Sequence, residues 1–179
     1  MMTVSQALQK FYKENNFNND GGLSEGYFEL KFNLFTLKLP NTQFRKDVIH
    51  IHDIQHILYH CDTSWKGEAF IAGWEISTGS WKHIPIGFFS LWSMGFTLFI
   101  YPKEVFKGYK AGLNTIGIID LKIAKEALLK MSVSDLKERI KKDQIQPLNW
   151  FQFLFWAFTS AFIFLFPLLI LVVLGIVFY

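Results

Sequence analysis

From Phe28 to Leu34 apolar and polar positions alternate strictly, with Phe28, Leu30, Phe32 and Leu34 set against Glu29, Lys31 and Asn33. A two-residue period predicts a strand. Leu37 and Leu39 prolong the pattern after a slip at Phe35, so the segment reads as a single strand or a short N-terminal β-hairpin. A membrane-touching loop is the alternative. Elsewhere the period is helical. Ala7, Leu8, Phe11 and Tyr12 form one side of a short helix with Ser5 as its cap, broken by the turn-rich run Asn15 to Gly22. Pro40-Asn41-Thr42 opens a long helix to about His60, with Thr42 as N-cap and Val48, Ile51, Ile54, Ile57 and Leu58 on its apolar face. Glu68 to about Thr78 is the next helix. Lys103 to Gly117 and Asp120 to Lys130 follow, and a last one starts at Ser132-Val133-Ser134-Asp135 with a serine cap. The expected fold is mainly α.

Two stretches carry no charge. Trp150 to Tyr179 lacks any ionisable acid or base other than its tyrosine. About 20 apolar residues cross a bilayer core, so this run predicts a C-terminal transmembrane helix. Trp150, Trp156 and Tyr179 suit the headgroup level, and Pro167 predicts a kink or a break. The second run, Ile84 to Pro102, is borderline in length. Residues 1–83 hold eight Lys/Arg and residues 103–149 hold ten. A single crossing between them would leave one basic flank outside, so an interfacial, re-entrant or protein-buried segment is favoured over a span. The chain thus divides into a helical domain over 1–149 and an anchor over 150–179. Lys137, Arg139, Lys141 and Lys142 precede the anchor and place that side, with the bulk of the chain, in the cytoplasm. The first 20 residues are too polar for a signal peptide.

Composition sharpens this. Hydrophobic residues make up 51% of the 179 and the net charge is only +3. Without a dense basic run, nucleic-acid binding is a poor reading, and an anionic membrane surface is a better partner. Cys61 stands alone, which excludes an intramolecular disulfide.

The most informative chemistry lies on the long helix. His52-Asp53-Ile54-Gln55-His56 is followed, after eleven residues, by Glu68. Histidines four apart share a helix face. A second helix returning after Asp62-Thr63-Ser64 would bring Glu68 toward them. Two imidazoles with one or two carboxylates suit Zn²⁺ or Fe²⁺, so His52, Asp53, His56 and Glu68 are the ligand candidates. An accidental surface or core histidine pair is the bland alternative. His60 continues the stripe as a third ligand, a supporting group or, more plainly, a helix C-terminal residue. Glu75 shares a face with Glu68 and reads as a second carboxylate, a partner to a histidine or, by default, a solvated charge. His50 and His83 read as ordinary surface or loop histidines.

At this motif the sequence resembles the coenzyme Q (ubiquinone) biosynthesis protein four family, and more closely its short bacterial membrane-attached relatives. The shared residues are Pro40-Asn41-Thr42, Arg45, His52-Asp53-Ile54-Gln55-His56, Asp62-Thr63, Gly67-Glu68 and Gly73-Trp74-Glu75-Ile76. The likeness is strong over about 14–80 and loose over Gly108 to Ile140. It implies a helical, membrane-associated protein that binds a divalent metal, usually zinc, through His52, Asp53, His56 and Glu68. It also implies a groove for a polyprenyl tail, a role in removing a ring carboxyl group with hydroxylation, and association with other biosynthetic enzymes or a second copy. The chain departs from that pattern at His60, where relatives often have Gly, and at Asn114, where Arg is expected in ubiquinone-making members.

Two functional classes follow. In the first, the protein is a metal-dependent decarboxylase or hydroxylase of a prenylated ring, with Asp53 or Glu68 moving a proton if not ligating. In the second, it is a membrane scaffold or lipid-binding protein with a structural metal. Three protein ligands and an open position favour the enzyme, and four favour the scaffold. A metal-dependent lipid hydrolase is a third class, weakened by the lack of a second HxxxH cluster.

Overall fold

A computed structural model describes residues 1–32 and 34–177. In chain order its elements are α1 (Val4–Glu14), β1 (Tyr27–Lys31), β2 (Thr36–Pro40), α2 (Gln43–Tyr59), α3 (Trp65–Thr78), α4 (Ile86–Ile100), α5 (Pro102–Leu113), α6 (Lys125–Lys130), α7 (Val133–Arg139) and α8 (Trp150–Val177). Short 3₁₀ turns cover Ser80–Lys82 and Ile118–Leu121. The fold is mainly helical with one antiparallel hairpin, as the sequence pattern implies. The chain forms two compact units, Met1–His60 with Ile123–Glu138, and Cys61–Lys122 with Arg139–Tyr179.

In the first unit, α1 is capped by Thr3 and not by Ser5. Gln6 accepts the Thr3 backbone N–H at 2.9 Å while its own N–H donates to Thr3 Oγ1 at 3.2 Å, closing a capping box that Ser5 has no partner to form. Val4, Ala7, Leu8, Phe11 and Tyr12 are buried along one side of α1. The alternation of Phe28 to Leu34 yields a strand only to Lys31. Leu37 and Leu39 belong to the returning strand, with Phe28 opposite Leu39 and Leu30 opposite Leu37. Asn33, part of the expected pattern, lies outside the described residues. Thr42 caps α2, and His60 ends it in a left-handed conformation at φ 53°. The expected helix over Asp120–Lys130 is instead a 3₁₀ turn followed by α6, because Lys122 takes φ 52° between them. Ser132 Oγ accepts the Asp135 N–H at 3.0 Å, as expected of a cap for α7.

In the second unit, Ser64 caps α3, which starts at Trp65, a turn ahead of the expected Glu68. α3 and α5 approach closely through glycine. A Cβ on Gly108 would collide with the Phe70 carbonyl, and one on Gly73 with the Val105 carbonyl. Trp74 is fully buried between them and donates its indole N–H to Thr115 Oγ1 at 2.9 Å. The helix expected over Lys103–Gly117 stops at Leu113, and Gly117 initiates the 3₁₀ turn. α4 occupies the borderline apolar run. Its fifteen residues reach only about 22 Å, short of the roughly 30 Å hydrocarbon core. It packs against α8 where Gly95 faces the Ser160 carbonyl. Phe88, Phe89, Phe99 and Ile100 stay exposed on it.

The stretch Trp150–Pro167 of α8 is long and apolar enough to cross a membrane. Pro167 lies inside α8 without breaking it. Tyr179, expected at the headgroup level, is outside the described residues.

Candidate metal centre

α2 positions the histidines. Thr42 starts the helix and the left-handed His60 stops it, so seventeen residues run without interruption through positions 52 and 56. The Nε2 atoms of His52 and His56 are 3.2 Å apart and the ring planes meet at 72°. His56 is buried and His52 half-buried. Phe11 of α1 stacks on the His56 ring at 5.9 Å, fixing it from behind.

Two imidazole nitrogens at about 2.0–2.1 Å from one tetrahedral ion stand about 3.3 Å apart. The observed 3.2 Å separation therefore fits two ligands to one ion without a change of rotamer. The same distance also fits a neutral His–His hydrogen bond, with one ring donating and the other accepting.

Asp53 turns toward α1. Tyr12 donates its hydroxyl to Asp53 Oδ2 at 3.0 Å, and both side chains are buried. Burial pushes the Asp53 carboxyl above the usual range, opposed by the nearby His52 ring, the Tyr12 hydroxyl, His56 and Arg45. Burial and the Asp53 carboxylate together push the Tyr12 phenol well above its ordinary value, so it stays a donor.

Glu68 sits in the first turn of α3, half-buried, at the dipole end that favours a carboxylate. Cys61, in the same unit, has its thiol pushed up to about 11 by burial and by the carboxylates of Asp62, Glu68 and Glu104.

Three expectations need correction. Glu75 is not a solvated charge: it is 5% exposed and accepts the Ser90 hydroxyl at 2.6 Å. Its α3 face turns inward because α4 packs over it. His50 is not a surface histidine: α2 buries it, and burial with Lys125 nearby lowers it to about 4, against the opposing pull of Asp47. His83 is half-exposed and holds a specific partner, Asp120 Oδ1, at 2.8 Å from its Nε2. His60 serves as the helix C-cap.

Sequence reasoning missed Tyr12 and Ser90. In the sequence Tyr12 reads as part of the apolar side of α1, and nothing in the spacing marks a hydroxyl 41 residues from its acceptor. A serine inside the apolar α4 is the one signal that could have flagged Ser90 as the donor to a buried group.

No family model, curated protein or solved structure matches this chain.

Proposed function

We propose that this is a membrane-anchored protein that binds a divalent cation, Zn²⁺ or Fe²⁺, and handles a lipid quinone or another isoprenoid-linked ring. The observation that carries the reading is the pair of Nε2 atoms at 3.2 Å on α2. His52 and His56 would hold the ion, and Glu68, twelve residues beyond His56, is the candidate third ligand by its sequence spacing. The engagement of Asp53 with Tyr12 favours three protein ligands over four. Three leave a position open for substrate or water, which is the arrangement of a catalytic site. When bound, the ion would supply Lewis-acid stabilisation of charge on the ring during decarboxylation or hydroxylation.

The chain's own residues have separate parts. Asp53, buried and accepting the Tyr12 hydroxyl, would add carboxylate character beside the imidazoles without ligating the ion. Phe11 keeps water from the back of His56. The resemblance to the ubiquinone-biosynthesis family supplies the substrate class. Membrane attachment rests on α8, with the basic stretch around Lys137 to Lys142 on the cytoplasmic side. The apolar outer side of α4, with Phe88, Phe89 and Phe99, extends that contact and could shelter an isoprenoid tail.

The test is deletion of the gene followed by mass analysis of extracted lipid quinones, with complementation by wild type and by His52→Ala. Accumulation of a carboxylated or under-modified precursor that His52→Ala does not relieve supports the enzyme. Relief by a folded His52→Ala variant favours the scaffold. An unchanged quinone profile with no co-purifying lipid removes the quinone assignment.

A further inference from the structure

Arg45 opens the face of α2 that carries both imidazoles. At 100° per residue, positions 45, 52 and 56 fall within about 40° of one another. Its Cα lies about 10 Å N-terminal of that of His52.

The environment of Arg45 is unusual for a cation. It is half-buried, and burial lowers its pKa from the ordinary guanidinium range, opposed first by the nearby Asp53 carboxyl and then by the Tyr12 hydroxyl. The guanidinium carbon lies 4.1 Å from the centre of the Phe28 ring. One hydrogen bond holds it, from Nη1 to Asn41 Oδ1 at 3.0 Å. Asn41 is itself buried, and its amide donates to the carbonyls of Gly22 at 2.8 Å and Glu25 at 3.0 Å. That fixes the Asn41 oxygen toward Arg45. Among the described residues no carboxylate lies within ion-pair distance of the guanidinium.

A guanidinium has five N–H donors, and this one uses one of them on protein. A brace between the 22–41 segment and α2 is the plain alternative. A brace, however, needs only the ring contact and one hydrogen bond, which a neutral side chain supplies without desolvating a charge. Here a cation is partly desolvated, oriented by a ring and a buried amide, and makes no direct ion pair among the described residues, its acidic neighbour Asp53 acting only at longer range. Those are the features of a fork set to receive an oxyanion in its plane. The first turn of α2 adds favourable partial charge. The Asp53 charge opposes an anion, and the Tyr12 hydroxyl offsets part of it.

We propose that Arg45, oriented by Phe28 and Asn41, is an oxyanion-binding site for a carboxylate or phosphate group on the α2 face that carries His52 and His56. It goes beyond the metal reading and stands without it. The oxyanion is either a carboxylate or a phosphate, including a lipid headgroup.

The experiment is calorimetric titration of the purified full-length chain in detergent with benzoate, inorganic phosphate and chloride, before and after dialysis against a chelator. The site predicts binding of benzoate or phosphate in preference to chloride, retained after chelation. Arg45→Gln weakens it by about tenfold or more. Arg45→Lys keeps the charge but loses the fork, and weakens it by about fivefold. Should Arg45→Gln fail to fold, Arg45→Lys carries the test. Preference for benzoate identifies a carboxylate ligand. Preference for phosphate, with tighter association to phosphatidic-acid than to phosphatidylcholine vesicles, identifies the headgroup. No binding by wild type, or equal binding by a folded variant, overturns the site. A wild type that binds benzoate or phosphate but no metal leaves the site intact and removes the metal reading.

Discussion

Gly108→Ala adds one methyl group at a close approach of α3 and α5. The new Cβ would collide with the Phe70 carbonyl oxygen and come within 2.7 Å of its carbonyl carbon. Those are backbone atoms, which cannot rotate aside as a side chain can. Overpacking of a tight contact costs about 1–3 kcal/mol, and a rigid obstacle puts this site at the upper end. Alanine regains about 1 kcal/mol over glycine through its helix propensity. The net destabilisation is therefore about 2 kcal/mol. In a chain of this size it lowers the thermal midpoint by about 4–8 °C. Circular dichroism of the purified chain in detergent measures it. Gly26→Ala is the control, since a Cβ there meets nothing within 4 Å, and it should shift stability by less than about 0.5 kcal/mol. An unchanged or raised midpoint for Gly108→Ala would refute the glycine-mediated contact of the two helices.

Other outcomes follow from single contacts. Tyr12→Phe strips the buried Asp53 carboxylate of its donor and should destabilise the chain by about 2 kcal/mol, read by chemical denaturation; a neutral result means that the hydroxyl contributes nothing to holding Asp53. Cys61, pushed up to about 11 by burial first and neighbouring carboxylates second, should alkylate slowly with iodoacetamide at pH 8 and faster as pH approaches 11. Because its folded pKa is raised, its contribution to stability is present below the ordinary thiol range and is lost as pH rises toward 11. Rapid alkylation at pH 8 contradicts that environment. Truncation after Pro147 removes α8 and should abolish most carbonate-resistant membrane attachment, with a residue left through α4; full attachment would make another segment the anchor.

The elements easiest to read in the sequence were those with a strong period or a strong boundary. Thr42 and the histidine stripe marked α2, and the charge-free run marked α8. The strand pattern was right in kind, but the hairpin turn divided it where no glycine pair announced a turn. Caps were less legible. Ser5 and Thr3 are both good capping residues, and only the position of Gln6 decides between them. The end of α5 lies at Asn114, an ordinary helix-ending residue passed over in favour of Gly117, and the 3₁₀ turn after it ends at Lys122, whose left-handed φ of 52° its residue type does not announce. At the site, the histidine pair follows from spacing alone. The Tyr12 hydroxyl on Asp53 does not, because α1 and α2 meet through packing that no short-range pattern encodes. Glu75 failed for a related reason. A charged residue reads as solvated until the element that covers it, here α4 with Ser90, is known.

The central claim is that His52 and His56 form a metal site. Metal analysis by mass spectrometry of the purified full-length chain, alongside His52→Ala and His56→Ala, tests it most directly. The account predicts about one equivalent of zinc or iron in wild type and near-zero content in both folded variants. Near-zero metal in all three, or equal metal in all three, would contradict it.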